Sequence, residues 1–245
     1  MSRIGGYSKS AGFYDLFPQE GDLEFYGKYA LEAGRAIDIG AGTGRLAIPL
    51  ARRGVELTCV EPSGAMCREF RRKLAEAPDA AGHITLIQAD AVSFRLPEIF
   101  PAAFMAGSFD HLLTDRERLA ALGNISRHLE PGGKLILDFY WGLMIDAPLS
   151  HSDEARDGER TIRRLVGREV LPDRTVRINI VHEIYRDGRL EDRIEQFSRA
   201  GIIERERFHQ LLAETGFRLL AEYRDYDLAP YREGDQMLLI EAERE

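Results

Sequence analysis

The sequence predicts an α/β protein built on a seven-stranded, mostly parallel sheet, with helices on both faces and an antiparallel β insert after the fifth strand. Three observations support this fold class. Strand-like and helix-like runs alternate from residue 36 to residue 140. From about residue 160 to residue 200, strand-like runs are joined instead by short turns. A helix-like run and two further strand-like runs then close the chain.

The first part of the chain alternates predicted strands with predicted helices. Strands separated by helical runs of this length are typical of βαβ units and a parallel sheet. The predicted strands are residues 36–39, 55–61, 84–90, 101–106 and 134–140. The predicted helices are residues 44–54, 63–77 and 115–129. Ser63 and Thr114 stand at the starts of the last two helices and are typical N-cap residues.

The second part of the chain predicts an antiparallel meander. Its strand-like runs are residues 161–170, 174–185 and 190–198. The pair Asp187-Gly188 stands between the last two runs and is a strong hairpin signal. The remaining predicted elements are a helix over residues 204–216, ended by Gly216, and strands over residues 217–226 and 236–243. The meander is therefore an insert between the fifth strand and the closing elements.

Composition excludes several classes of protein. The 245 residues suit one domain of generous size, and 44% hydrophobic with 30% charged residues is ordinary for a soluble globular protein. The formal charge of −8 disfavours non-specific binding to nucleic acid. No apolar run reaches the length of a membrane span, and the start "MSRIGGYSKS" lacks the apolar core of a signal peptide. We therefore expect no nucleic acid and no membrane among the partners.

The chain contains two cysteines. Cys59 falls in a strand-like run and Cys67 in a helix-like run, and this spacing fits neither a disulfide framework nor a metal site. We expect both to be free thiols, buried or half-buried, of a cytoplasmic protein, because the cytoplasm keeps thiols reduced.

The stretch "AIDIGAGTGRLAIPLARRG" places three glycines in one turn after the first predicted strand. Gly40, Gly42 and Gly44 allow a tight turn and let a ligand approach the backbone closely. The helix that follows begins with unpaired N–H groups, and ligands of open parallel sheets bind beyond the carboxyl ends of the strands. Asp38 and the glycines are therefore predicted to line a ligand site.

Two kinds of ligand fit a glycine turn of this type. Counted from Gly40, the dinucleotide pattern G-x-G-x-x-G/A ends on Arg45, which does not fit, but Gly42, Gly44 and Ala47 satisfy the shifted frame. The motif alone therefore does not exclude a dinucleotide. Asp38 argues against one, since a carboxylate disfavours a neighbouring pyrophosphate and favours a ligand ammonium group.

Four motifs together resemble class I S-adenosylmethionine-dependent methyltransferases. They are "DIGAGTG", "VEPSGAM", "QADA" and "HLEPGGKLILDF", in that order across residues 36–140. The chain is similar to the small-molecule members with the methyltransferase-25 type of domain, including amino-sugar N-methyltransferases. The resemblance implies a Rossmann-like methyltransferase fold and S-adenosylmethionine as the cofactor, with S-adenosylhomocysteine as the product.

The resemblance also implies one methyltransferase domain over residues 1–245. Its parts would be a helical N-terminal cover (1–35), a cofactor-binding core (36–140), an antiparallel insert or lid (about 141–203) and a C-terminal helix with the final strand pair (204–245). Many members begin the fourth strand with an aromatic–Asp pair, whereas this chain has Phe100-Pro101. Proline is tolerated at the start of a strand.

Roles at the methionyl end of the cofactor follow from the same resemblance. The glycine turn with Asp38 would hold this end through Gly40, Ala41, Gly42 and Gly44. The residues after the fourth strand would face the sulfonium, namely Ala106, Gly107 and Ser108. Tyr14 and Asp15 in "FYDLF" would belong to the covering segment, although Tyr14 could instead only pack that segment onto the core.

At the adenosine end, the resemblance assigns Glu61 to both ribose hydroxyls, because a carboxylate offers paired lone pairs. Pro62 and Met66 would pack near the adenine. Asp90 would accept a hydrogen bond from the adenine amino group, with the Ala91 N–H nearby. The alternative for Glu61 and Asp90 is that each is a surface acid at the end of a strand.

The methyl acceptor is predicted to be a small molecule. "GSFDHLLTD" does not resemble the N-P-P-Y loop that methylates exocyclic amines of bases or glutamine, and no paired acids suggest a metal. The insert resembles that of small-molecule N-methyltransferases, where it covers the site and can form a homodimer interface. Residues 160–199 hold ten arginines, no lysine and seven acids. They would either attract an anionic acceptor such as a nucleotide-linked sugar or form a solvated strand face.

The chemistry requires alignment of acceptor, methyl and sulfur. An amine acceptor must arrive neutral and a hydroxyl acceptor needs a base. His111 closely follows the fourth strand and is the candidate catalytic base, with a polar cap or core packing as its alternative role. His182 on the meander could also face the cleft. N-methylation is favoured over O-methylation.

Three other functions stay open on the sequence alone. A protein that binds the cofactor without transferring the methyl group would need the same cofactor residues. Other S-adenosylmethionine chemistry on this scaffold is a second possibility, and an NAD-dependent oxidoreductase is the remote third.

Overall fold

The computed structural model describes residues 10–17 and 19–245. The predicted cover begins at residue 1, so its residues 1–9 and 18 lie outside the described part. The helices are α1 (Asp22–Ala33), α2 (Ala47–Arg52), α3 (Gly64–Ala75), α4 (Pro78–Ala81), α5 (Asp115–His128) and α6 (Arg205–Glu214). A 3-10 helix over Ala11–Leu16 precedes α1.

Seven strands form the main sheet. They are β1 (Arg35–Ile39), β2 (Glu56–Val60), β3 (Ile84–Ile87), β4 (Phe100–Met105), β5 (Leu129–Tyr140), β10 (Phe217–Tyr223) and β11 (Met237–Arg244). Their order is β10-β11-β5-β4-β1-β2-β3, with β11 antiparallel to both of its neighbours. The order reverses between β1 and β4, which is where open α/β sheets bind ligands beyond the strand ends. The predicted fold class is confirmed.

Both faces of this sheet are buried. Along β5, Leu135 and Leu137 point into one apolar cluster with α5 and α6, while Ile136 points into the other with α1 and α2. Strands covered on both faces read as continuous apolar runs, as "LILDF" does. The two clusters fix the strand ends between the helix layers.

The two predicted N-caps are confirmed. The Ser63 hydroxyl accepts the Met66 N–H at 3.4 Å, and the Thr114 hydroxyl accepts the Glu117 N–H at 3.2 Å. The Glu117 carboxylate in turn accepts the Thr114 N–H, which completes a capping box.

Several predicted boundaries were wrong. Helix α2 begins at Ala47 and not at residue 44, because Gly44 has φ +77° and cannot be helical. Strand β3 ends at Ile87 rather than at residue 90. Strand β5 begins at Leu129, and the Pro131-Gly132-Gly133 turn appears within it as a break in register with β4.

The insert is a second sheet of four antiparallel strands. It contains β6 (Ala147–Asp157), β7 (Arg160–Leu171), β8 (Thr175–Arg186) and β9 (Arg189–Gly201), paired in that order. The last three match the predicted meander, and the hairpin signal is confirmed by positive φ angles at Asp187 and Gly188. Strand β6 was missed because its polar, exposed sequence lacks an apolar alternation.

Cys59 and Cys67 are free and buried, as expected. Among the helices of the described residues, none combines the length and the apolar character that a membrane crossing requires.

Candidate functional site

A cleft opens where the carboxyl ends of β1 and β4 meet. Six of the residues predicted to bind a cofactor line it together: Tyr14, Asp38, Gly40, Ala41, Gly42 and Ala106. Arg45 and Leu46, which the sequence did not suggest as site residues, complete the lining. The glycine turn and the segment around Tyr14 therefore face each other across one cleft.

The three glycines of the turn serve different purposes. All have positive φ, at +80° for Gly40, +58° for Gly42 and +77° for Gly44. A Cβ on Gly44 would lie 2.2 Å from the Phe70 ring, and one on Gly40 would lie 2.6 Å from Ser108 Cβ. A Cβ on Gly42 would approach no other atom closer than the Gly40 carbonyl oxygen at 4.0 Å. Gly42 thus leaves the open space that a ligand can use.

Glu61 fastens the glycine turn to the end of β2. Its Oε2 accepts the Gly42 N–H at 2.9 Å and its Oε1 accepts the Ser63 N–H at 2.7 Å. The side chain is 6% exposed, and burial raises its pKa while the two N–H groups lower it. Each carboxylate oxygen has a second lone pair, so the group can still accept two ribose hydroxyls.

Asp38 is buried at the end of β1. Burial and the charge of Glu61 raise its pKa to about 7, and the charge of Arg45 opposes this shift. A carboxyl group balanced between its two protonation states ionises fully beside a cation. The site therefore suits a ligand ammonium group.

The loop after β4 is held in place by hydrogen bonds to two neighbouring strands, β1 and β5. The Ser108 hydroxyl donates to the Ile39 carbonyl at 3.0 Å, and the Gly107 N–H donates to Asp138 Oδ1 at 2.6 Å. Tyr26 donates to the other oxygen of Asp138 at 3.0 Å. Asp138 was missed by the sequence reading, although an acid inside the apolar run "LILDFY" was a usable signal.

The residues predicted to surround the adenine follow strands β2 and β3. Met66 is buried and Pro62 is half-buried at the start of α3. Asp90 is exposed in the loop after β3, where its Oδ1 accepts both the N–H and the hydroxyl of Ser93 at 2.8 Å. Ala91 follows it in the same loop. Their contacts with an adenine stay predictions.

The 3-10 helix around Tyr14 lies between the glycine turn and the insert. On one side Asp15 accepts the Thr43 hydroxyl at 2.6 Å and pairs with Lys73. On the other side the Phe13 and Phe17 rings lie 5.7 and 5.9 Å from the His182 ring. From here on, the name cover is used only for the segment 10–17, which is one part of the predicted N-terminal region 1–35. Tyr14 is half-buried within it, and burial raises its pKa.

The features of the cleft fit S-adenosylmethionine. Glu61 offers lone pairs for a diol, Asp38 suits an ammonium group, and Gly42 leaves room beside the backbone. The buried carboxyl groups of Asp38, which lines this cleft, and Glu61, which bonds to its glycine turn, disfavour a pyrophosphate. This donor and acceptor set therefore matches a cationic amino-acid nucleoside better than a dinucleotide.

Comparison with known proteins decides the family. A model of a methyltransferase domain matches residues 36–133. The chain is 30% identical over 189 residues to dTDP-3-amino-3,4,6-trideoxy-alpha-D-glucopyranose N,N-dimethyltransferase from Streptomyces venezuelae. The aligned residues cover 76% of this chain and 74% of that protein. The chain belongs to the S-adenosylmethionine-dependent methyltransferase family.

Solved structures share the fold of this methyltransferase. The CcbJ methyltransferase from Streptomyces caelestis superposes with a TM-score of 0.82 at 18% identity, covering 100% of this chain and 99% of that one. An S-adenosylmethionine-bound amino pentose methyltransferase from Micromonospora echinaspora gives 0.75 at 21% identity, covering 96% and 95%. The similarity extends over both the main sheet and the insert.

The two histidines considered as catalytic candidates occupy different places in the methyltransferase. His111 is exposed in a short 3-10 helix after β4, with its Nδ1 3.0 Å from the Arg199 carbonyl oxygen on β9. His182 is buried against the cover, and burial together with the charge of Arg164 lowers its pKa to about 4. His182 is therefore neutral at physiological pH and packs against the aromatic rings of the cover.

Proposed function

We propose that this methyltransferase transfers the methyl group of S-adenosylmethionine to an amine nitrogen of a small-molecule acceptor, of which amino sugars are the first candidates. S-adenosylhomocysteine would be the second product. The name of the Streptomyces venezuelae relative supports a sugar amine as the acceptor. That name carries the choice of an amine, and His111, which lies between the β4 loop and the insert, is placed to act as the base.

The contact of His111 with β9 sets its tautomer. A carbonyl oxygen only accepts hydrogen bonds, so Nδ1 must carry the proton in its bond to Arg199. The lone pair of the neutral ring then lies on Nε2, which is the basic atom. An ammonium acceptor cannot attack until it loses a proton, and His111 Nε2 is the group that would take it.

The remaining residues align the reactants and exclude water. S-adenosylmethionine supplies a methyl group already activated on a sulfonium. Glu61 and Asp38 would hold the two ends of the cofactor, and the loop at Ala106, Gly107 and Ser108 would face the methyl group. The cover contributes Tyr14 to the lining of the cleft and would exclude water from the bound cofactor. These residues supply orientation, which is the main requirement of in-line displacement.

The face of the insert that holds the cover supports an acceptor with an anionic part. Arg168, Ile178 and Ser198 form one row across β7, β8 and β9. They share a face with His182, since successive even positions of β8 point the same way. Among the described residues, the buried Arg168 Nε and Ser198 hydroxyl have no hydrogen-bond partner. Such groups suit a polar acceptor, for example one that carries a phosphate.

A paired set of acceptors tests this function. The protein with S-adenosylmethionine is incubated with free and nucleotide-linked amino sugars and with the matching sugars that carry a hydroxyl in place of the amine. Mass spectrometry should show methylation of an amine and none of its hydroxyl partner. Methylation of the hydroxyl sugars alone would overturn N-methylation, and no methylation in a cofactor-binding protein would overturn the acceptor class.

The variant His111→Asn tests the base. Its side-chain amide can still donate to the Arg199 carbonyl, but it has no basic nitrogen. We expect turnover to fall by about 100-fold, within the usual range for a general base, with unchanged cofactor affinity. Unchanged turnover would remove His111 from the mechanism.

We further propose a homodimer formed through the insert. Its exposed large hydrophobic side chains are Ile145, Leu149, Val170, Leu190 and Phe197, the last 58% exposed. Exposed apolar side chains favour association when a partner surface covers them. Sedimentation velocity should show a dimer that Phe197→Glu weakens. A monomer at all concentrations would overturn this arrangement.

A reducing, cytoplasmic location is also proposed. The support is that Cys59 and Cys67 are both free and buried rather than paired.

A further inference from the structure

Arg45 lines the cofactor cleft directly after the glycine turn. It stands between Gly44 and Leu46, and its side chain faces the same space as Tyr14 and Asp38. Of the described residues on this lining, Arg45 alone carries a positive charge. A cation on the same lining as the buried Asp38 needs an explanation beyond packing.

Asp22 fixes the position of this guanidinium. Asp22 begins α1 and is 2% exposed, and its Oδ2 lies 2.5 Å from Arg45 Nη1. The guanidinium carries five N–H donors in a rigid fork, and this ion pair joins one terminal nitrogen to one oxygen. The pair therefore orients Arg45 without requiring its whole donor set.

The charges of the ligand and of the cleft match only if Arg45 takes part. The methionyl end of S-adenosylmethionine carries an ammonium and a carboxylate. Asp38 suits the ammonium, but a carboxylate placed near Asp38 and Glu61 would be repelled. A desolvated carboxylate without a partner is costly, and an arginine fork is its best protein partner.

We propose that Arg45 binds the α-carboxylate of the methionyl end of S-adenosylmethionine, with Asp22 as its positioning residue. The proposal rests on this cleft being the cofactor site. It gives the amino-acid end two anchors of opposite charge, Asp38 and Arg45, on the same turn. It also explains why an arginine stands at the position where a dinucleotide motif would need glycine or alanine.

A purely structural role is the competing explanation. In that case Arg45 only ties the glycine turn to α1 through Asp22, and its loss would weaken every ligand of the cleft alike. The two roles differ in which part of the ligand responds. Three ligands separate them: S-adenosylmethionine, its decarboxylated form, and 5′-methylthioadenosine, which lacks the whole amino-acid end.

Calorimetry of Arg45→Met with these three ligands is the test. Methionine keeps an apolar stem but has no donor. We expect S-adenosylmethionine to bind about 10- to 100-fold more weakly, which corresponds to a lost charged hydrogen bond. Affinity for the decarboxylated ligand and for 5′-methylthioadenosine should match that of the wild type within about twofold. Arg45→Lys should give an intermediate loss, because lysine keeps the charge without the fork.

Arg52→Met is the matched control. Arg52 ends α2 outside the cleft and pairs with the exposed Asp79, so its loss should change no affinity. Asp22→Asn should weaken S-adenosylmethionine selectively, as expected of a positioning residue. If Arg45→Met does not fold, the Arg45→Lys variant carries the same comparison.

Two results would overturn the proposal. An equal loss for all three ligands would leave Arg45 with a structural role, and no loss for any of them would place the carboxylate elsewhere. A separate outcome is that the wild type binds none of the three ligands, which would reject the cofactor site itself.

Discussion

The Gly107 N–H donates a hydrogen bond of 2.6 Å to Asp138 Oδ1, and this bond joins the loop after β4 to the end of β5. Asp138 is 2% exposed, and burial raises its pKa to about 7. The hydrogen bonds from Gly107 and Tyr26 oppose that shift without cancelling it. A titratable group thus supports the loop that is predicted to face the methyl group.

The raised pKa of Asp138 predicts a loss of stability as pH rises. The folded state holds the proton above the pH at which the unfolded chain releases it, so its contribution declines between about pH 4 and pH 7. The variant Asp138→Asn lacks this titration. Relative to the wild type, it should gain up to about 4 kcal/mol in free energy of unfolding across that range. Urea unfolding at several pH values measures this difference.

Asp79→Asn is the control for that experiment, because Asp79 is exposed on α4. Its difference from the wild type should stay small at every pH. A pH-independent difference for Asp138→Asn would mean that the buried group keeps an ordinary pKa.

The glycines of the turn should separate binding from folding. Gly42→Ala should cost about 1 kcal/mol in stability, from its positive φ, and should strongly weaken S-adenosylhomocysteine, because the new methyl group enters the open space. Gly44→Ala should cost about 3 kcal/mol or more, since its Cβ meets the Phe70 ring. Thermal unfolding and calorimetry measure both effects.

A double variant checks the cause of the second effect. Adding Phe70→Leu to Gly44→Ala should recover part of the lost stability, although Phe70→Leu alone destabilises the core.

Equal ligand affinity in Gly42→Ala and the wild type would show that the cofactor does not use the space beside Gly42.

Glu61→Ala should remove most of the affinity for every ligand that contains the ribose. Two charge-assisted hydrogen bonds, each worth about 1.5–3 kcal/mol, would be lost, which predicts a decrease of at least about 100-fold. The loss should be similar for S-adenosylhomocysteine and 5′-methylthioadenosine, in contrast to Arg45→Met. Calorimetry with both ligands is the measurement, and unchanged binding would place the ribose elsewhere.

Asp38 predicts a pH-dependent affinity for ligands with an amino-acid end. In the free protein its pKa is about 7, and a bound ammonium would favour the ionised form. Affinity for S-adenosylhomocysteine should therefore rise with pH up to about 7, approaching tenfold per unit, and then level. The ligand 5′-methylthioadenosine has no ammonium and should lack this rise.

Asp38→Asn provides the second control, and its affinity for S-adenosylhomocysteine should be lower and nearly independent of pH in this range. A rise of the same size in Asp38→Asn would assign the titration to another group of the cleft.

The sequence was sufficient for the parts of the fold that depend on local signals. The capping residues Ser63 and Thr114, the hairpin at Asp187-Gly188 and the glycine turn all act through neighbours within a few residues. The seven-stranded, mostly parallel sheet was expected from these patterns and the family resemblance, but the order of its strands was not predicted, since strand patterns do not give it by themselves.

The parts that the sequence missed depend on distant partners or on exposure. Asp138 has its role because Tyr26, 112 residues earlier, reaches it across the sheet. Strand β6 is held by pairing with β7, and its sequence has no apolar face from which a strand could be predicted. His182 was considered for the cleft, but the cover occupies the space in front of its ring, which no local pattern shows.

Strand ends at the site were also poorly predicted, for a related reason. The sequence "ITLIQAD" continues its apolar alternation past Ile87, yet pairing with β2 stops there and Asp90 turns back onto Ser93. A local turn competes with the sheet at this point, and the acid belongs to the turn.

The cover is held on both sides, and this has a consequence for the order of events during turnover. Asp15 bonds to the glycine turn while Phe13 and Phe17 pack on His182 of the insert. A segment with these two attachments cannot move away from the glycine turn without also disturbing its contacts with the insert. We therefore expect a compulsory sequence in which the cofactor enters first and its demethylated form leaves last, with the departure of that product limiting the overall rate.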